Sequence, residues 1–292
     1  MAGTTSQEDR AVREERRRSA FWKSATYFLL AAAALFALAP LWIIGVLALE
    51  SSPPATETSP WRLPLSPDLG NFAALLTQTD FVRWLANSVV VSLAVTAAGV
   101  ALAATAGYAL SRFRFFGRLA VLNSLLVTQI FPATMLLLPI FLILVQLKLI
   151  NTFLGLSLIY LATVLPFCIW QMKNFYDSIP ESVEEAAAMD GCTPGEIFRR
   201  VVIPVSLPGL TVAALFSFAA SWNEYVVAAI LLQDAERFTL PLGLRLLHAD
   251  SSAGLPSLFA AGALLVAAPV LLLYLALSRF LTARVRDIRI RF

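Results

Sequence analysis

Six stretches of the chain are apolar for long enough to cross a lipid bilayer: residues 22–49, 86–110, 118–147, 153–172, 206–232 and 257–281. About 20 apolar residues in a helix span a hydrocarbon layer of ~30 Å. Backbone polar groups at that depth must be satisfied within the helix itself. The pattern therefore predicts an all-α membrane protein with six transmembrane helices. Only Lys148 to Thr152 separates the third stretch from the fourth, which predicts a tight hairpin. The polar segments are the first 20 residues, 50–84, 173–205 and 233–256, and none leaves room for a sizeable aqueous domain.

The segment 173–205 has helix punctuation of its own. Glu181 to Asp190 favours helix, with acidic residues in the first turn, alanines in the middle and Gly191 as a C-terminal stop. Thr193-Pro194-Gly195-Glu196 reads as a second start: Thr193 caps, Pro194 takes the first helical position and Glu196 completes a capping box. Pro204 is expected to end that second helix. Two short helices meeting at a sharp angle make a compact knob, and a knob can pass rigid-body motion to the spans that flank it.

Charge sets the expected orientation. With both termini cytoplasmic, 17 of the 22 Lys and Arg residues fall on inner segments and 5 on outer ones. That bias follows the positive-inside rule and places the polar hairpin in the cytoplasm. The net charge of +3 therefore reflects topology and lipid headgroups, with no nucleic-acid partner implied. The basic N-terminal run is expected to be a solvated arm lying along the membrane surface. The first apolar run is too long for a cleaved signal sequence and is expected to act as a signal anchor. Cys168 and Cys192 lie in a span and in the cytoplasmic hairpin, so neither a disulfide framework nor a metal site is expected.

Several chemistries are missing. There is no G-x-x-x-x-G-K-[ST] run, so the chain is not expected to bind ATP by a P-loop, and any ATP-driven work needs a separate ATPase. The spans hold no Asp and no His, which excludes the usual intramembrane proteases. Glu224, in SWNEY (221–225), is the one clear intramembrane ionisable residue. It lies about 30 Å along the helix from Pro204 at ~1.5 Å per residue, and such a carboxylate needs a partner or a water-filled cavity. Trp222, Asn223 and Glu224 are candidates to line an outward-opening solute pathway, an aromatic face beside amide and carboxylate groups suiting sugar hydroxyls; the alternative is a polar cluster bonded to a neighbouring helix. Asn87 and Ser88 read as helix-capping residues.

The stretch EAAAMDGCTPGEIFRRVVIP (185–204) resembles the coupling loop of ABC importer permeases. Glu185, Ala186, Ala187, Gly191 and Pro204 match its register of EAA, Gly and I-x-L-P, with Val201 and Ile203 in place of Ile and Leu. From about Asn71 to Leu281 the chain is similar to the MalG-like permease subunits of maltose/trehalose-type carbohydrate importers, on the segments 87–117, 179–210 and 221–232. The resemblance implies an ABC importer permease fold and a non-catalytic subunit forming half of a translocation pathway in a bacterial or archaeal inner membrane. It implies as partners a second homologous permease, two cytoplasmic ATPases holding ATP and Mg, an external solute-binding protein and membrane lipids. Glu185 to Pro204 would couple to the ATPases. The outer segment 233–256 would reach the binding protein, with Leu244 to Gly254 as a protruding tip and Leu246, Leu247, His248 and Asp250 as the contacts. The cargo is read as a disaccharide or oligosaccharide; a polyol, glycerol phosphate or other small solute is the alternative, and a channel or structural subunit working without ATP is the reading from another class. The chain divides into an arm (1–21), a first span with an outer Pro-rich segment (22–85), a core (86–281, coupling loop 174–205) and a tail (282–292). That tail ends ARVRDIRIRF where the family usually has a Gly-rich end.

Overall fold

The computed structural model describes residues 4–50, 67–130, 133–249 and 256–289, and among these the regular structure is helical. Helix α1 (Thr4–Ala48) carries the N-terminal arm and the first span as one rod, with Pro40 inside it. Its 45 residues make about 68 Å at ~1.5 Å each, so only the apolar part, Trp22–Ala48, can lie in the bilayer. Phe28, Leu29 and Phe36 are exposed on that part, as a lipid-facing helix requires. The short α2 (Gly70–Gln78) closes the end of α1: the buried Asn71 amide donates to the carbonyls of Ala48 and Glu50.

The centre of the bundle is α3 (Phe81–Arg112) packed against α6 (Phe153–Asp177) and α10 (Leu207–Trp222). Small residues let the first two approach. A Cβ at Gly107 would lie 2.9 Å from Cβ of Met172 and 3.0 Å from the backbone nitrogen of Lys173, a spacing that only glycine permits. Val91, Val95, Tyr160, Val164, Met172 and Ala213 fill this interface.

Two expected spans are broken. The run 118–147 forms α4 (Arg118–Ile130) and α5 (Leu137–Gln146), joined through a 3₁₀ turn at Ala133–Leu136. Pro132 lies in the sequence between them and has no N–H to continue a helix. The run 206–232 forms α10 and α11 (Val226–Leu231), with Asn223 to Tyr225 between. Four described helices are long and apolar enough to cross a membrane alone, and α10 adds a fifth when joined to the bent segment before it. The last, α13 (Pro256–Arg289), lies against α1.

Candidate coupling knob and solute pathway

At the end of the bundle where α6 stops, the chain turns through Ser178 to Glu181 into α7 (Ser182–Met189). The helix ends at Gly191, whose φ of +85° is a left-handed conformation. There the amides of Gly191 and Cys192 close onto the carbonyls of Ala188 and Ala187. A side chain there would add strain of about 1 kcal/mol or more. The second arm starts as read from sequence: Thr193 is extended, Pro194 opens α8 (Pro194–Glu196), and the Thr193 N–H and hydroxyl both donate to the Glu196 carboxylate, at 3.0 and 2.9 Å. Those bonds, with Arg200 nearby, hold the Glu196 carboxyl below its ordinary range.

Pro204 does not end this arm. A π-helical turn over Ile197–Val202 leads into α9 (Ile203–Val205), and the chain then bends by 75° at Ser206 before α10. A proline ring crowds the carbonyl four residues back, here that of Arg200, and the wider π turn leaves room for it.

The two faces of α7 differ. Ser182, Glu185, Ala186 and Met189 share the exposed face, with Met189 84% exposed. Glu184 and Ala187 turn inward. Glu184 accepts from Nε of Arg112 at 2.6 Å and from the Tyr108 hydroxyl at 2.6 Å. Arg112 also donates to the carbonyl of Ile179, in the turn that leads into α7. The sequence pattern singles out Glu185, and it holds Tyr108 and Arg112 only within the similar segment 87–117. The available signal was the Glu184-Glu185 doublet: successive side chains lie about 100° apart on a helix of ~3.6 residues per turn, so a packed side can take one acid while the other stays in water.

The pathway candidates separate. Trp222 is buried, stacks on Phe218 and donates its indole N–H to the Val266 carbonyl of α13 at 3.1 Å. Asn223 is exposed, at the edge of an apolar groove of about 560 Å³ between α10 and α13, lined among others by Ala219, Ala267 and Tyr274. Glu224 accepts the amide N–H groups of Val227 and Ala228, so it caps α11, and it accepts the Tyr160 hydroxyl at 2.9 Å. The distance along the helix from Pro204 counts only after the bend at Ser206, which leaves the 16 residues of α10, about 24 Å.

At the opposite end the segment 233–256 is partly helical. The apolar run folds as α12 (Leu240–Ala249), with Leu240 and Leu244 buried and Leu246 and Leu247 packed partly against the same cluster. Leu240, Leu244 and Leu247 recur at helical spacing, which gives the run one apolar face. The expected tip from Leu244 onward therefore starts inside a packed helix; His248 falls in its last turn, and Asp250 lies outside the described residues. Ser88 caps α12 by accepting the Leu240 N–H at 2.7 Å, and the Asn87 amide donates to the carbonyls of Glu236 and Phe238. Ser88 thus caps a remote helix start while Asn87 ties down the turn before it, and neither caps α3, which begins at Phe81. Asn151, at φ 58°, holds the same rim: its side chain bonds Asp234 and accepts the Gln233 and Asp234 amides. Among the described residues no group of three or more His, Cys, Asp or Glu could hold a metal ion.

Known proteins match this arrangement over most of the chain. Residues 96–289 match the family model described as binding-protein-dependent transport system inner membrane component. The chain is 36% identical to the maltose/maltodextrin transport system permease MalG of Salmonella typhimurium, over 76% of this chain and 77% of that protein. It is 30% identical to the trehalose transport system permease SugB of Mycobacterium tuberculosis, over 89% of this chain and 96% of that protein. Its fold superposes with a TM-score of 0.78, at 26% identity, on a chain from the crystal structure of a bacterial ABC transporter involved in the import of the acidic polysaccharide alginate, covering 90% of this chain and 98% of that one. The chain belongs to the family of binding-protein-dependent transport system inner membrane components: it is a multi-pass, non-catalytic permease subunit that works with ATPase and solute-binding partners.

Proposed function

We propose that this subunit imports a carbohydrate, of the disaccharide or oligosaccharide class, and that the exposed face of α7 is where its ATPase docks. The observation that carries the reading is the α7 knob. Ser182, Glu185, Ala186 and Met189 form a free helical face, while the reverse face is fixed to the bundle. A free face on an anchored helix receives a partner and transmits its motion. The names of the relatives, for maltose, maltodextrin and trehalose transport, support a sugar cargo.

In this reading the knob and both termini are cytoplasmic. A second homologous permease completes the pathway, and two ATPase subunits bind ATP and Mg. Solute passes near Asn223 and Glu224, with Trp222 and Tyr160 holding that level in place. The last turn of α12 with His248, and the sequence that follows it with Asp250, meet the binding protein. Replacing residues 248–252 by a Gly-Ser linker is expected to leave assembly intact and abolish stimulation of ATP hydrolysis by the loaded binding protein; full stimulation would remove that contact.

The test of the cargo and of the machine is reconstitution. The chain, its partner permease, its ATPase and its binding protein are placed in proteoliposomes with ATP inside. ATP-dependent uptake of radiolabelled maltose, trehalose or a longer glucan is the expected result. Uptake of glycerol phosphate or a polyol in place of every sugar would overturn the cargo, and solute flux without ATP would overturn the importer.

A further inference from the structure

The knob reading leaves open which span receives the motion. The chain itself offers α10, which follows the second arm directly. Yet the path to α10 runs through the π turn and then a 75° bend at Ser206, two features that absorb displacement. A second route does not follow the chain. Arg112 and Glu184 are 72 residues apart in sequence and pair at 2.6 Å, with side chains only 10 and 14% exposed. Both carboxylate oxygens of Glu184 are engaged, one by Arg112 and the other by Tyr108. Arg112 grips both sides of the α6–α7 corner, through Glu184 in the first turn of α7 and through the Ile179 carbonyl before it. Tyr108 meets Tyr176 edge-on at 5.6 Å and Phe198 of the second arm at 4.9 Å. Ser111, next to Arg112, donates to Asp177 at 2.6 Å. One turn of α3 therefore touches α6, α7 and the second arm of the knob.

We propose that Arg112, Tyr108 and Glu184 are positioning residues for coupling: they fix the angle of α7 on the end of α3, so that a displacement of the knob is delivered to α3. This rests on the importer reading above. A partly buried charge pair whose members are each held by further hydrogen bonds, Glu184 by Tyr108 and Arg112 by the Ile179 carbonyl, favours one geometry over intermediate ones. Charge and shape here set an angle, and a polar substitute that fills space without the charge does not.

The test uses the assembled complex of permeases and ATPases. A bimane fluorophore is attached at Leu102→Cys, an exposed position on α3, in a chain carrying Cys168→Ala and Cys192→Ser. The probe reports α3 when ATP and orthovanadate are added together with the loaded binding protein that stimulates hydrolysis. Glu184→Arg and Arg112→Glu are each expected to keep the ATPase at native stoichiometry and to cut the fluorescence response about tenfold, and the double exchange is expected to restore it to within about threefold. Tyr108→Phe and Glu184→Gln, which keep volume, serve if the charge reversals do not assemble; each is expected to reduce the response about threefold. Native responses from assembled Tyr108→Phe and Glu184→Gln complexes overturn the clamp. So does a double exchange that stays silent although both single variants assemble. A native chain that binds no ATPase, or shows no response to vanadate trapping, overturns the importer reading itself.

Discussion

The two ends of the bundle are held by different kinds of bond. At the end opposite the knob, beside side-chain pairs such as Asn151 with Asp234 and Arg83 with Glu236, the side chains bond mainly to backbone: the Trp84 indole N–H to the Ala235 carbonyl, Asn87 to Glu236 and Phe238, Ser88 to Leu240, and Asn151 to Gln233 and Asp234. At the knob end, side chains bond mainly to other side chains: Arg112 and Tyr108 to Glu184, and Ser111 and Lys173 to Asp177. A bond to backbone fixes the path of a loop and cannot be exchanged without unravelling it. A bond between side chains on two helices fixes an angle, and that angle can be reset by a partner. The first end is a sewn rim and the second is a joint, a division that fits the proposal that the ATPase docks on α7 and the solute enters at the other end.

Four substitutions bear on that contrast, in falling order of effect. Gly191→Asp acts on the joint. It forces a side chain into φ +85° at about 1–2 kcal/mol, and no heavy atom lies within 4 Å of the added Cβ, so the chain still inserts. ATPase co-purification is expected to weaken sharply and uptake to stop; normal uptake by a well-expressed variant would show that the knob angle is immaterial. Asn151→Ala acts on the rim. It removes three side-chain bonds and leaves alanine at φ 58°, for a loss of about 2–3 kcal/mol. Thermal unfolding in detergent is expected to fall by several degrees while ATPase binding is unchanged, and Asn151→Gly, which relieves the backbone, is expected to recover part of the loss. A variant that keeps its melting temperature yet loses the ATPase would invert the contrast.

Glu224→Ala lies between the two ends. It uncaps α11 and frees the Tyr160 hydroxyl, at about 1.5–3 kcal/mol. The expected result is reduced thermal stability together with reduced uptake, with the ATPase still bound. Unchanged stability and unchanged uptake would remove both its packing role and its pathway role. The smallest effect is at Glu196. Its folded-state carboxyl is depressed by Thr193, so its contribution is complete above the ordinary value of 4.5 and is lost as pH falls through the folded value. The gap in melting temperature between the native chain and Glu196→Gln is expected to be small at neutral pH and to close on acidification. A gap that widens in acid would refute the assigned bonds.

The sequence carried the joint's skeleton better than its fastening. Gly191 and the Thr193-Pro194-x-Glu196 start are local signals, readable because turn and cap chemistry depends on neighbours in the chain. The clamp is not local: nothing near Arg112 says that Glu184 lies beside it, and only the packing of α3 on α6 brings them together. The same limit explains the rim, where Ser88 caps a helix start and Asn87 holds the turn before it, both some 150 residues away. Apolar runs marked the spans but not their breaks, because hydropathy sums over Asn223 to Tyr225 without noticing that α10 has ended. The run LPLGLRLL sits in a segment whose other residues are polar and mark a loop, whereas its own leucine spacing is that of a helix with one buried face.

The central claim is that the free face of α7 meets an ATPase. A photoreactive benzoyl-phenylalanine at Ala186, on that face, tests it in native membranes, with the same group at Leu102 on the apolar surface of α3 as the reference. The account predicts that light yields a covalent adduct from position 186 to a P-loop ATPase identified by mass spectrometry, and none from position 102. Adducts from position 186 with lipid alone, in membranes where the assembled ATPase is present and active, would contradict it.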